Sequence, residues 1–243
     1  MRIALVIAVE MVLEATMIVL DTSEYMRNGD YFPTRLIAAQ DAVSSIFSAK
    51  VNDNPENTVG LMTLGGSVRV TFLRDAAKFQ PAVRGAQVDG AQRSLSSAIQ
   101  VALLALRHRQ NTKQHQRIVA IVGSPVPDSA SDLKKLGARL RKNGVALDII
   151  CIGKEEGNSA KLDEFVASVN ASSNSNFLDV EPSSTELVDI VRRSPICSDA
   201  GGGFGDEMDF AEDPELAMAL RLSLQEEQQR QERAASEQTE AAS

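Results

Sequence analysis

Cysteine is scarce: the 243-residue chain has two, Cys151 and Cys197, too few for a disulfide framework or a cysteine metal cluster. Cys151 stands in an apolar run and reads as a buried thiol. Histidine is equally scarce. His108 and His115 flank a polar turn, Arg109 to Lys113, with no nucleophile or metal partner beside them, and both read as surface residues. A Gly-x-Ser-x-Gly elbow, a phosphate-cradling lysine loop and a paired-cysteine motif are all missing, which weighs against an enzyme; no catalytic residue, metal or cofactor is expected. An excess of positive charge is also missing. The net charge is −8, and the 11 acidic and three basic residues from Asp206 onward account for all of it. The remaining chain is balanced, and the acidic tail argues against nucleic acid or an anionic membrane as a partner. There is no long hydrophobic run either. Ile3 to Val9 is apolar, but Glu10 and Glu14 end the run well short of a membrane span, and no small-residue cleavage site follows it. Met11 is the more natural beginning, so residues 1–10 read as an N-terminal extension. The sequon Asn170-Ala171-Ser172 is a background match. An intracellular protein is expected.

What is present is alternation. From Ala15 to Val191, short β-rich runs alternate with segments of helical period, which predicts an α/β domain with a mostly parallel sheet. Strands are expected at 16–20, 58–64, 68–72, 117–122, 146–152 and 176–180, and helices at 33–50, 95–107, 131–142, 160–168 and 185–192. Gly65-Gly66 joins the second and third strands into a hairpin, placing an antiparallel strand at the sheet edge. The expected architecture is a three-layer sandwich over residues 11–193. Pro195 and the run Gly201-Gly202-Gly203-Phe204-Gly205 mark residues 194–211 as a flexible linker. A helix over 212–230 and a disordered tail over 231–243 complete the expected organisation.

The helix is a docking element. Asp213 is a good N-cap and Pro214 suits the first turn. At about 100° per residue, Leu216, Leu220 and Leu224 form one flank of the apolar stripe and Met218 and Leu222 the other, with the small Ala219 and Ser223 between them. Glu212, Glu226 and Glu227 project over the same face at its ends, where a core-facing helix would avoid charge. The notch and its acidic ends predict a partner with an apolar knob and a basic rim. On these residues the segment resembles a ubiquitin-interacting motif: an acidic run over Glu212 to Glu215 interrupted by Pro214, then Leu216, Ala219, Ser223 and Glu226. The resemblance implies that Glu215, Leu216, Met218, Ala219, Leu220, Leu222, Ser223, Leu224 and Glu226 contact ubiquitin. In that role Ala219 nests in its apolar patch and Ser223 hydrogen-bonds at the edge. A solvated or coiled-coil helix is the competing reading, but the apolar face lasts two to three turns, whereas coiled coils need about three or four heptads.

Ligands of open α/β sheets usually sit beyond the carboxyl ends of the strands, here taken as the loops after Leu20, Val122 and Phe72. The first loop, Asp21-Thr22-Ser23-Glu24-Tyr25, resembles the metal-ion-dependent adhesion site of von Willebrand factor A domains, whose pattern is Asp-x-Ser-x-Ser. Tyr25 replaces the second serine. Gly123-Ser124-Pro125 stands where those domains carry an aspartate. Asp21 and Ser23 alone are too few ligands for a cation that wants near-octahedral oxygen. Asp21 is left with two readings: turn chemistry at the end of the first strand, or, with Ser23, part of a protein-docking surface.

Taken together, an A-type domain with a broken metal site, a glycine linker and a ubiquitin-interacting motif resembles the 26S proteasome non-ATPase regulatory subunit 4 family of ubiquitin receptors. Met11-Val-Leu-Glu-Ala15, Asp21-x-Ser-Glu-Tyr-Met-Arg-Asn-Gly-Asp30, Asn54-Pro-Glu-Asn-Thr-Val-Gly-Leu-Met-Thr63, His108-Arg-Gln-Asn111 and Val122-Gly-Ser-Pro125 carry the resemblance. It implies a von Willebrand factor A, Rossmann-like domain that docks among lid and base subunits in the 19S particle. It also implies a tail that captures polyubiquitin chains, and a location in cytoplasm and nucleus. One short helix on one ubiquitin makes a small interface and loses free energy in ordering itself, so avidity over several ubiquitins would supply retention. The alternatives are a metal-dependent A domain, and a trafficking or scaffold adaptor with a ubiquitin-binding tail.

Overall fold

The central strand, β1 (Glu14–Leu20), is buried along its whole length, so both of its faces must be covered. The computed structural model describes residues 13–90, 94–153, 155, 157–170, 174–182 and 186–197. Beyond β1, the strands are β2 (Thr58–Thr63), β3 (Val68–Leu73), β4 (His115–Val122), β5 (Val145–Ile152) and β6 (Phe177–Val180). They form one sheet in the order β3-β2-β1-β4-β5-β6. All pairings are parallel except β2 with β3, the antiparallel edge. The helices are α1 (Arg35–Asp53), α2 (Ala76–Arg84), α3 (Leu95–Arg107), α4 (Ala130–Lys142), α5 (Asn158–Val169) and α6 (Leu187–Arg193).

The alternation of side chains along each strand divides the core in two. Met17, Val19, Ile118, Ala120, Leu147 and Ile149 pack with α3, α4 and α5. Ile18, Leu20, Val119, Ile121, Ile150 and Ile152 pack with α1, α2 and α6. This is the expected three-layer sandwich. The helix α2 is absent from the sequence expectations because Pro81 lies inside it, where proline normally breaks a helix. Tertiary contacts hold it: the Asp75 carboxylate caps Ala77 N at 2.9 Å, Val83 is buried, and Phe79 stacks on Phe47 with centroids 4.2 Å apart.

A buried ionic network ties the amino ends of the central strands. Arg117 of β4 bridges Glu14 of β1 (2.7 Å) and Asp148 of β5 (2.6 Å), while Lys50 of α1 approaches Glu14 at 3.3 Å. Burial alone would raise the Glu14 pKa, but Arg117 and Lys50 outweigh it and hold the carboxyl below its ordinary value. Burial likewise opposes the Arg117 charge, and the two carboxylates more than reverse that effect.

The packed chain continues past α6, with Ile196 and Cys197 buried in the α1–α6 layer. The chain divides into two units, residues 1–202 and 203–243. Most of the expected linker, the helix over 212–230 and the tail over 231–243 lie outside the described residues, as does the N-terminal extension.

Candidate functional site

The carboxyl edge of the sheet is where the loop resembling a metal site was expected, and the register explains its construction. Leu20 of β1 lies opposite Ile121 of β4, so Asp21 emerges beside Val122, the last residue of β4, within reach of Gly123 and Ser124. Asp21 is fully buried. Its Oδ1 accepts from Ser23 N at 2.9 Å, and its Oδ2 accepts from Gly123 N at 3.0 Å and from the Ser124 hydroxyl at 2.7 Å. Its own N–H donates to Ile121 O at 3.1 Å. Asp21 is therefore a clasp between the ends of β1 and β4.

This geometry does not fit a metal ion. Both carboxylate oxygens are engaged by protein donors, and Gly123-Ser124 contributes an N–H and an O–H where a second carboxylate would be needed. The buried Ser23 hydroxyl lacks a hydrogen-bond partner but could give a cation only one further oxygen, against the six of an octahedral shell. Among the described residues no group of three or more His, Cys, Asp or Glu is placed to hold a metal. Tyr25, at the position of the missing second serine, is 42% exposed on a 3-10 turn, Glu24–Arg27. Asp21 and Ser23 both lie beneath the surface that Glu24, Tyr25 and Arg27 present.

The third loop of this edge differs from the expectation. Because β3 is antiparallel, Leu73 pairs with Val59 near the start of β2, and the chain after Phe72 leaves at the opposite edge. Arg74 there bonds Pro55 O. The segment after α2 comes to the carboxyl edge instead, where Asp89 N donates to Thr22 O at 2.9 Å.

Two residues that sequence reasoning did not single out complete the edge. Tyr31 donates its hydroxyl to Val180 O (2.5 Å) at the end of β6 and accepts from Gly153 N (3.0 Å) at the end of β5. Arg35, in the first turn of α1, forms a two-pronged pair with Asp30, at 2.8 Å through Nε and 2.7 Å through Nη2. Its Nη1 donates to Gly123 O at 2.9 Å and lies 3.5 Å from Glu155. Asp30, by hydrogen bond and charge, raises the Arg35 pKa above its ordinary value. Gly153, at φ +86°, passes under the guanidinium, where a Cβ would come within 2.6 Å. The loop before α1 and the first residue of that helix thus reach the ends of β4, β5 and β6. A cation at the start of a helix opposes the helix dipole, and that was the available signal that Arg35 is held by carboxylates.

His108 and His115 are exposed, as expected. Two cavities of about 240 and 300 Å³ lie away from Asp21, one lined by Glu56, Arg74 and Gln110 among others, the second by Asn170, Phe177 and Ile196. Neither is lined by a cysteine or histidine. The residues expected to bind ubiquitin, Glu215, Leu216, Met218, Ala219, Leu220, Leu222, Ser223, Leu224 and Glu226, lie outside the described residues.

Comparison with known proteins agrees with this architecture. The profile of the von Willebrand factor type A domain matches residues 16–125. The chain is 45% identical to the 26S proteasome regulatory subunit rpn10 of Schizosaccharomyces pombe, over 95% of this chain and 96% of that one. It is 46% identical to the 26S proteasome regulatory subunit RPN10 of Saccharomyces cerevisiae, covering 90% of each. Among solved structures, the crystal structure of the SpRpn10 VWA domain superposes with a TM-score of 0.71 at 46% identity, over 76% of this chain and 97% of that one. BatB from Bacteroides thetaiotaomicron, at 15% identity and a TM-score of 0.57 over 74% of this chain and 96% of that one, shares the fold alone.

Proposed function

The chain belongs to the family of 26S proteasome regulatory subunits that includes the Rpn10 proteins, and from that premise we propose that it is a noncatalytic ubiquitin receptor of the regulatory particle. The near full-length correspondence with the two yeast subunits carries the reading. In it, the folded domain anchors the chain among lid and base subunits through the carboxyl edge that Asp21 and Ser23 organise from beneath. The segment over 212–230 captures ubiquitin on substrates, with Leu216, Ala219 and Ser223 at the centre of the contact. The geometry supports an adaptor: the carboxylate that begins the metal-site pattern is consumed as an internal clasp, which removes the chemistry of a cation-dependent A domain. The particle's residence in cytoplasm and nucleus would fix the location. Among the described residues no helix is long and apolar enough to cross a membrane.

The test is a titration of labelled ubiquitin and of polyubiquitin chains with the full-length protein, compared with an Ala219→Asn, Ser223→Asp double variant. The native chain should bind weakly to one ubiquitin and more tightly to a chain of several, by effective concentration, and the variant should lose both. Equal binding by the two proteins would defeat the assignment of the notch.

A further inference from the structure

Five large hydrophobic side chains are exposed among the described residues, and three of them, Tyr25, Phe32 and Ile37, fall between residues 25 and 37 at the carboxyl edge. Phe32 is 91% exposed. Single exposed apolar residues are ordinary on protein surfaces, and most need no explanation. Phe32 differs in its mounting. The preceding residue, Tyr31, is buried and hydrogen-bonded to the ends of β5 and β6. Three residues on, Arg35 is buried and fixed to Asp30 and Gly123 O. Thr34 between them caps α1, its hydroxyl accepting from Ile37 N at 3.3 Å. The ring is therefore held out into water by a backbone pinned on both sides, and little order would have to be created when it meets a partner. Such pre-organised aromatics are the residues that dominate interfaces.

The charge around it selects the partner. Asp30 and Glu155 share one guanidinium; the Asp30 and Glu155 side chains are 23% and 25% exposed, whereas that of Arg35 is 5% exposed. In this cluster negative charge reaches the surface and the compensating positive charge does not, while the exposed Glu24 and Arg27 of the same edge pair with each other and add no net charge. Resting on the reading that this edge is the docking edge, we propose that Phe32 is its anchor: it fills an apolar pocket with a basic rim on a neighbouring protein subunit of the assembly. A second copy of this chain would set one acidic collar against another, and an anionic lipid surface would meet the same repulsion.

The test is a competition on 26S particles purified from cells lacking the native gene. Fluorescent wild-type chain is bound first, then displaced with unlabelled full-length wild type, Phe32→Ser or Phe32→Leu. Because removing a central aromatic anchor costs roughly 2 kcal/mol or more, Phe32→Ser should need at least about 30-fold more protein for half displacement. Phe32→Leu should stay within about fivefold of wild type, since it keeps an apolar knob. All three should share one thermal midpoint, because an exposed ring contributes nothing to the core. Displacement by Phe32→Ser at the wild-type concentration would overturn the anchor and leave the docking reading standing. A wild-type chain that does not bind the particles would overturn both. Sedimentation showing a wild-type dimer that Phe32→Ser dissolves would overturn the proposal in favour of a second copy.

Discussion

Replacing Asp21 tests whether the edge of this domain is held by a carboxylate clasp. Three donors converge on that carboxylate at 2.7 to 3.0 Å, and all belong to the protein. Asp21→Ala strands two backbone N–H groups and the Ser124 hydroxyl in a site that is closed to water. Each buried donor left without a partner costs about 1–3 kcal/mol, and a shared site makes the sum less than additive, so a loss of about 3–5 kcal/mol is expected. Asp21→Asn is gentler. Its single oxygen can serve Ser23 N, or Gly123 N and Ser124, but not both sides; one buried amide is then left facing another donor, for about 1–3 kcal/mol. For a domain of this size these losses correspond to melting points lowered by roughly 10 °C and 5 °C. Urea unfolding followed by circular dichroism, on the full chain, gives both values. The same samples decide the metal question: a site with a dissociation constant of about 10 μM would add about 2.7 kcal/mol at 1 mM Mg²⁺, a shift of several degrees, whereas the clasp predicts none. Unfolding of Asp21→Asn within about 0.5 kcal/mol of wild type, a margin typical of a neutral surface change, would refute the clasp, as would stabilisation of the wild-type chain by Mg²⁺.

Glu14→Gln should destabilise the fold by about 3–5 kcal/mol, because it leaves Arg117 and Lys50 buried with too little negative charge. The folded-state pKa of Glu14 is depressed, so its contribution is complete above the unfolded-state value and is lost as pH falls through the folded one; in chemical denaturation, acid should weaken the wild type more than the variant. Burial raises the Cys151 thiol to about 12 and the Cys197 thiol to about 11, so alkylation at neutral pH should be more than about 100-fold slower in the native chain than in urea. Gly137→Ala would drive a methyl group against the Ser168 hydroxyl where α4 meets α5; a melting point lowered by the equivalent of about 1–3 kcal/mol is expected, largely restored by adding Ser168→Gly.

The layers of this fold were legible because burial imposes a period. The runs at 16–20, 117–122 and 146–152 are apolar on both faces, as central strands between two helix layers must be, and the hairpin at Gly65-Gly66 announced the antiparallel edge. What followed from that edge was harder to see: reversing β3 sends the segment after Phe72 to the far side and brings the 85–90 loop in its place. The helix α2 was hidden because Pro81 argues against it locally, while the buried Phe79 and Val83 that favour it act only once α1 is in place. Arg117 and Asp148 carry charge inside otherwise apolar strands, a sign of a buried ion pair that strand patterning passes over. Asp21 was correctly located at the strand end, but its chemistry depends on Gly123 and Ser124, a hundred residues away, and only the register of β1 on β4 brings them together. Tyr31 was illegible for the same reason, since its partners, Val180 O and Gly153 N, are strand ends distant in sequence; Arg35 was legible only as a cation misplaced at a helix start, its bond to Gly123 O being equally remote.

The central claim, that this chain works as a subunit of the 26S particle, is tested most directly on a native gel. Labelled full-length chain is mixed with 26S particles from cells lacking the native gene, and its migration is compared with that of the peptidase activity of the assembled particle. Co-migration of the label with that activity, saturating at a fixed number of chains per particle, is the predicted result. Label that stays at the position of the free chain at every concentration would contradict it.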